Sequence, residues 1–178
     1  MKEITVLLLC LALLEPGCKK DEGKMQEEKV PIFNYSTEKV ESLNKINLTK
    51  EQLEDKFPSD VCYIVKDKGT EPPFAGEFYQ NTKKGIYKCV VCATDLFVSA
   101  AKYESGTGWP SFFQPVSELN TKIKSDTSHG MLRNEVICAR CGAHLGHVFE
   151  DGPKPTGKRY CINSASLKFL ENRASGIR

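Results

Sequence analysis

Two short motifs, Cys89-Val-Val-Cys92 and Cys138-Ala-Arg-Cys141, constrain the fold more than any other feature of this chain. Two sulfurs separated by two residues let a tight turn aim both thiolates at one tetrahedral ion, and two such turns complete a four-sulfur zinc site. Each pair follows a run that reads as a strand, GIYK and NEVI, and Gly142 supplies a permissive backbone after the second. The 45 residues between the pairs exceed the gap of an autonomous finger, so one structural Zn2+ is expected to tie separate strands into one core. A pair of disulfides and a redox-active dithiol are the competing readings. A Cys-x-x-Cys disulfide closes a very small loop and restrains the unfolded chain little, and duplication of the motif favours a shared metal.

The motifs use half of the eight cysteines; Cys10, Cys18, Cys62 and Cys161 remain. A length of 178 residues suits one domain with modest extensions. Lys and Arg number 25 against 23 Asp and Glu, so the chain lacks the basic surplus that nucleic-acid binding requires, and no such partner is expected.

Residues 4–14 form an almost unbroken apolar run, long enough for a secretion signal and too short to span a bilayer. Residues 1–17 therefore read as a signal peptide, and Cys18, ahead of a polar run, resembles the lipidated cysteine of bacterial lipoproteins. Export to the periplasm or cell envelope follows, with membrane contact only through that N-terminal lipid anchor. Residues 18–47 are charged and lack sustained periodicity, which predicts a tether, and residues 48–172 form the domain.

Within the domain, Thr49 and Gln52 predict a capping box for a first helix, and Val61, Cys62 and Val65 a second over 59–66. Pro72 and Pro73 end helical structure. The runs GEFY, GIYKCVV, LFVSA, EVICA, HVFE and RYCIN alternate with Gly, Pro, Asn and Asp breakers, predicting small antiparallel sheets. A closing helix is expected over 164–172 through Leu167, Phe169 and Leu170.

Cys161 lies in RYCIN, and a lone cysteine there is equally a buried structural thiol. Its company points to chemistry. His144 and His147 lie upstream; an imidazole can protonate a departing oxygen, and a cationic or hydrogen-bonding neighbour lowers a thiol pKa. Trp109, the single tryptophan, offers an apolar wall for a methyl group.

The segments GTEPPFAGEFY (69–79), GIYKCVVC (85–92), SGTGWPSFFQP (105–115) and DTSHGMLRNEVICARCGAHLGHVFEDGPKPTGKRYCINSASLKF (126–169) together resemble the methionine-R-sulfoxide reductases, in the family's order. The resemblance implies a mainly β fold of two antiparallel sheets in a small barrel-like core, short N-terminal helices, and a four-cysteine zinc site remote from the active site. It implies Cys161 as nucleophile, His147 and Asn163 as groups that polarise and protonate the sulfoxide oxygen, and Trp109 as the wall for the substrate methyl. His144 and Phe149 would line the same site. Substrates would be oxidised proteins or peptides containing methionine-R-sulfoxide, and the reductant a thioredoxin-like thiol donor. The family's common resolving cysteine has its place at Thr107, which cannot form a disulfide. Either Cys62 or an external thiol must then attack the oxidised Cys161; Cys62 reads equally as a buried helix residue.

Overall fold

A computed structural model of the chain describes residues 28–172. The signal peptide expected at 1–17, Cys18 and the first part of the tether lie outside the described residues. The elements run β1 (Lys29–Asn34), β2 (Lys39–Asn44), α1 (Lys50–Glu54), α2 (Ser59–Val65), β3 (Gly85–Cys89), β4 (Asp95–Val98), β5 (Lys102–Tyr103), β6 (Ser111–Phe112), β7 (Thr121–Asp126), β8 (Arg133–Cys138), β9 (His144–Phe149), β10 (Arg159–Ile162) and β11 (Leu167–Glu171).

Strands β5-β6-β10-β9-β8-β7 form a six-stranded sheet and β11-β3-β4 a three-stranded one, with antiparallel pairing throughout. The two antiparallel sheets expected from the sequence are present, and the core lies between them. Tyr87, Leu96 and Phe97 come from the smaller sheet and Phe112, Val136, Leu145 and Ile162 from the larger, all inaccessible to solvent. Phe97 stacks on Phe112 with ring centroids 4.4 Å apart, so the contact between sheets is aromatic. Leu53 of α1 and Cys62 and Val65 of α2 close this core from the helical side. The capping box forms as expected: Thr49 Oγ1 accepts from the Gln52 amide at 3.3 Å, and Gln52 Oε1 accepts from the Thr49 amide at 2.9 Å.

The two cysteine turns share one geometry. In the first, Cys89 N–H donates to Thr94 O at 2.8 Å and Ala93 N–H to Cys89 O at 2.9 Å; in the second, Cys138 N–H donates to Ala143 O and Gly142 N–H to Cys138 O, both at 2.9 Å. The residue after each turn has positive φ, 58° at Ala93 and 72° at Gly142. Glycine meets that requirement without the steric cost a Cβ incurs, as its sequence position suggested. The first turn leaves β3 of the small sheet and the second leaves β8 of the large one, so the cysteines join the two sheets.

Three expectations need correction. The second half of the tether, 18–47, is a β-hairpin: β1 pairs with β2, and Val30 and Ile32 pack with Ala139 inside the second cysteine turn. Asn120, wholly buried, fastens it by accepting from Phe33 N–H at 2.8 Å and donating to Phe33 O at 2.8 Å and Asp95 O at 2.6 Å. The closing helix at 164–172 is instead a 3-10 turn, Ser164–Ser166, followed by β11, because residues 167–171 pair with β3. GEFY is a turn: Tyr79 N–H returns to Gly76 O at 3.1 Å, and Phe78 N–H is taken by Ser164 Oγ at 3.1 Å.

Asn120→Ala removes three hydrogen bonds and leaves a buried carbonyl without its donor. We expect a loss of about 2 kcal/mol, read as a melting temperature lowered by roughly 5 °C, with faster amide exchange confined to β1 and β2.

Candidate active site

Strand register builds this site. In β10, Tyr160 and Ile162 point into the core while Arg159 and Cys161 take the opposite face. Cys161 stands opposite His147 of β9 and Ser111 of β6; beyond them His147 faces Glu135 of β8, and Ser111 faces Tyr103 of β5. One row across five strands thus carries Glu135, His147, Cys161, Ser111 and Tyr103, with directly opposed Cβ atoms about 5 Å apart. Gly146 lets β9 approach: a Cβ there would collide with the Cys161 carbonyl.

A cavity of about 150 Å3 opens on this row, bordered by Thr70, Trp109, Arg133, Gly146, His147, Phe149, Cys161 and Asn163. It has room for one long side chain and little more. Cys161, His147, Asn163, Trp109 and Phe149, all singled out from the sequence, meet here. His144 does not border the cavity. Its ring is buried and bonded through Nδ1 to Glu135 Oε1 at 2.8 Å, so the expectation that it lines the site gives way to a position behind His147, ring centroids 5.4 Å apart. Cys62 does not border the cavity either; its buried thiol donates to Phe57 O at 3.6 Å, and burial pushes its pKa up.

The cavity walls are held through their polar atoms. The Trp109 indole N–H donates to Glu71 O at 3.1 Å, and the Glu71 carboxylate accepts from the Ser164 and Ala165 amides at 2.6 and 3.0 Å. Asn163 accepts from the Glu71 amide through Oδ1 at 3.1 Å and donates through Nδ2 to Leu145 O at 3.1 Å. The asparagine therefore locks the segment that orients the tryptophan.

The charges form two linked groups. Asp126 Oδ2 accepts from His147 Nε2 at 2.7 Å and from Arg133 at 2.9 Å, and hydrogen bonds from Ser128 and His147 hold its carboxyl far below the usual range. An ionised carboxylate only accepts, so His147 Nε2 carries a proton. Glu135 is buried, which raises its pKa, but hydrogen bonds from Lys68 and His144 outweigh burial and leave it lowered. Burial lowers the His144 pKa against the pull of Glu135, so the ring is neutral, with its proton on Nδ1.

Burial raises the Cys161 thiol pKa, opposed by the Arg159 cation and by Thr107, whose Oγ1 lies 4.0 Å from Sγ. Arg159 is fixed by two 2.9 Å hydrogen bonds to Asp151 and by Phe149, whose ring centroid is 4.4 Å from its guanidinium carbon. Asp126, Arg133, Glu135, Glu71 and the Arg159–Asp151 pair were not assigned roles from the sequence. The visible signal was an acidic residue inside an otherwise apolar strand, Glu135 in NEVIC.

At the opposite end of β8 lies the four-cysteine cluster. The Sγ atoms of Cys89, Cys92, Cys138 and Cys141 lie within 4.8 Å of one another, with Cys89–Cys141 at 3.6 Å and Cys92–Cys138 at 3.5 Å. A tetrahedral thiolate site with metal–sulfur bonds of about 2.3 Å needs sulfurs roughly 3.8 Å apart, and a disulfide needs about 2.05 Å. The cluster could hold one tetrahedral metal ion, and all four cysteines are free thiols.

A half-buried thiol flanked by a histidine and an arginine, on an antiparallel scaffold clasped by four cysteines, defines a thiol-dependent oxidoreductase. Residues 58–171 match the SelR domain model. The chain is 50% identical over 133 residues to the peptide methionine sulfoxide reductase MsrB of Methanosarcina mazei, covering 75% of this chain and 95% of that protein. It is 53% identical over 124 residues to the protein of the same name from Methanosarcina barkeri, covering 70% and 87%, and 52% identical over 137 residues to that of Leptospira interrogans, covering 77% and 98%. The chain belongs to the SelR-domain family of methionine-R-sulfoxide reductases.

The raised thiol pKa has a measurable consequence. Alkylation of Cys161 by iodoacetamide should keep accelerating above the pH at which a free cysteine levels off, because the thiolate is the reactive form. Arg159→Ala removes the main opposing charge, raises the pKa further, and should slow alkylation severalfold at neutral pH; an unchanged rate would remove Arg159 from this account.

Proposed function

We propose that Cys161 is the nucleophile with which this reductase returns methionine-R-sulfoxide, chiefly within polypeptides, to methionine. The observation that carries the reading is the register that sets Cys161 opposite His147 in a cavity sized for one side chain and walled by Trp109 and Phe149. The Cys161 thiolate attacks the sulfoxide sulfur, and the sulfoxide oxygen is protonated through water at His147, whose own Nε2–H is held by Asp126. The oxygen passes to Cys161 as the sulfur–oxygen bond breaks, methionine leaves, and Cys–SOH remains. A thiol then attacks the sulfenic acid, releasing water and forming a disulfide, which a second thiol reduces.

Burial of Cys62, its raised pKa and its position off the cavity favour an external, thioredoxin-like thiol as the resolving group. Thr107 stands where an internal thiol would reach Cys161. Zinc suits the four-sulfur cluster as a structural ion: it is redox-inert, and four thiolates leave no open position for substrate. The apolar run at 4–14 and the placement of Cys18 support export and a lipid anchor, which would confine repair to envelope proteins.

Cys161→Ser should lower reduction of the R epimer by about a thousandfold or more, and retained activity would overturn the mechanism. Cys62→Ser should leave turnover unchanged with dithiothreitol and with thioredoxin alike. Thr107→Cys should let one equivalent of substrate produce an internal disulfide with Cys161, visible as the loss of two hydrogens in intact mass.

Metal analysis of the purified chain should return one zinc per molecule, and none when all four cysteines of the cluster are Ser. Chelation should broaden and lower the thermal transition, because metal binding contributes directly to folding here.

A further inference from the structure

The cavity that holds Cys161 opens beside a larger one. A groove of about 490 Å3 runs between α2 and residues 164–167, and Thr70 borders both. Glu71 borders the groove and links the two, for its carbonyl orients Trp109 and its amide donates to Asn163, both walls of the reactive cavity, while its carboxylate is occupied by two backbone amides. The groove has an apolar floor of Val61, Ile64, Val90 and Leu167, and an exposed acidic rim of Asp60 and Glu77. Among the described residues neither acid is in an ion pair, and no Lys, Arg or His borders the groove, although the chain as a whole carries a net +2.

We infer that this groove receives a lysine or arginine side chain adjacent to the oxidised methionine of a polypeptide substrate, as a specificity subsite. The inference rests on the reading of Cys161 as the reactive centre for polypeptides. The reactive cavity takes one side chain, so the flanking residues of a bound polypeptide lie outside it, the nearest only about 3.8 Å away between Cα atoms. A side chain with an aliphatic stem and a terminal cation matches an apolar floor ending in free carboxylates, since it buries the stem and keeps the charge at the rim. Tyr63, more than half exposed at the mouth, presents an aromatic ring to the same cation. A flanking glutamate would meet only like charge.

The experiment compares kcat/KM for three short blocked peptides containing methionine-R-sulfoxide flanked by lysine, alanine or glutamate, using the full chain. The expected order is lysine, alanine, glutamate, with lysine roughly two- to fivefold above glutamate, the size that exposed ion pairs supply. The difference should lie in KM and shrink at high salt. In Asp60→Asn/Glu77→Gln the lysine-to-glutamate ratio should fall toward one, and in Asp60→Lys it should invert; a ratio cancels any general loss of activity. Equal kcat/KM for the three peptides, or a lysine preference that survives in the double variant, overturns the subsite alone. Peptide reduction that persists in Cys161→Ser overturns the underlying reading of the reactive centre instead.

Discussion

The register of β10 is the constraint on which the rest of this structure depends. Held between β6 and β9, it turns Tyr160 and Ile162 into the aromatic core and leaves Cys161 facing the cavity. A slip of one residue would exchange those faces, burying Arg159 and exposing Tyr160. The register is therefore fixed by the same burial that stabilises the domain. Placement of the thiol and packing of the core are two consequences of one pairing.

The four-cysteine cluster keeps that pairing in a defined relation to the second sheet. It lies where β3 and β8 end, so the two sheets are clasped at one side while the aromatic contact joins them across their faces. The N-terminal hairpin adds a third contact on the same turn: Arg140 donates to Asn44 O and to Cys92 O, and Ile46 N–H returns to Arg140 O. With a metal bound, the four clustered thiols would be withdrawn from exchange, and with Cys62 buried the half-buried Cys161 is the candidate reactive sulfur among the described residues. The charge arrangement serves the same separation. Arg159 opposes the effect of burial on Cys161, while Asp126 keeps a proton on the face of His147 that it contacts.

Much of this was legible in the sequence, and the exceptions have physical causes. Local signals held: the capping box at Thr49, the positive φ at Gly142, and strands leading into both cysteine turns. The misreadings all involve partners distant in the chain. LKFLE suits a helix or a strand, and its pairing with residues 85–89 decides the matter. The segment around Val30 and Ile32 has too few apolar residues to signal a hairpin, and its support comes from Asn120 and Ala139. His144 and His147 look equivalent in HLGHVF. Leu145 of β9 is an extra residue between the pairs Val136–Gly146 and Ile137–His144, so that His144 lies opposite Ile137 and turns to Glu135 while His147 borders the cavity.

The sequence by itself determined the four-sulfur cluster and the β-rich character of the domain, and it singled out the candidate reactive cysteine. Those depend on residue type and on spacings of a few residues, which local geometry converts directly into structure. Only the tertiary structure decided that Thr107 lies beside Cys161, that Cys62 is a core thiol, that Arg133 and His147 share one oxygen of Asp126, and that an acidic groove borders the reactive cavity. Those depend on which face of each strand is buried and on which strands become neighbours. That outcome is set by packing of the whole core, and no short stretch of the chain contains it.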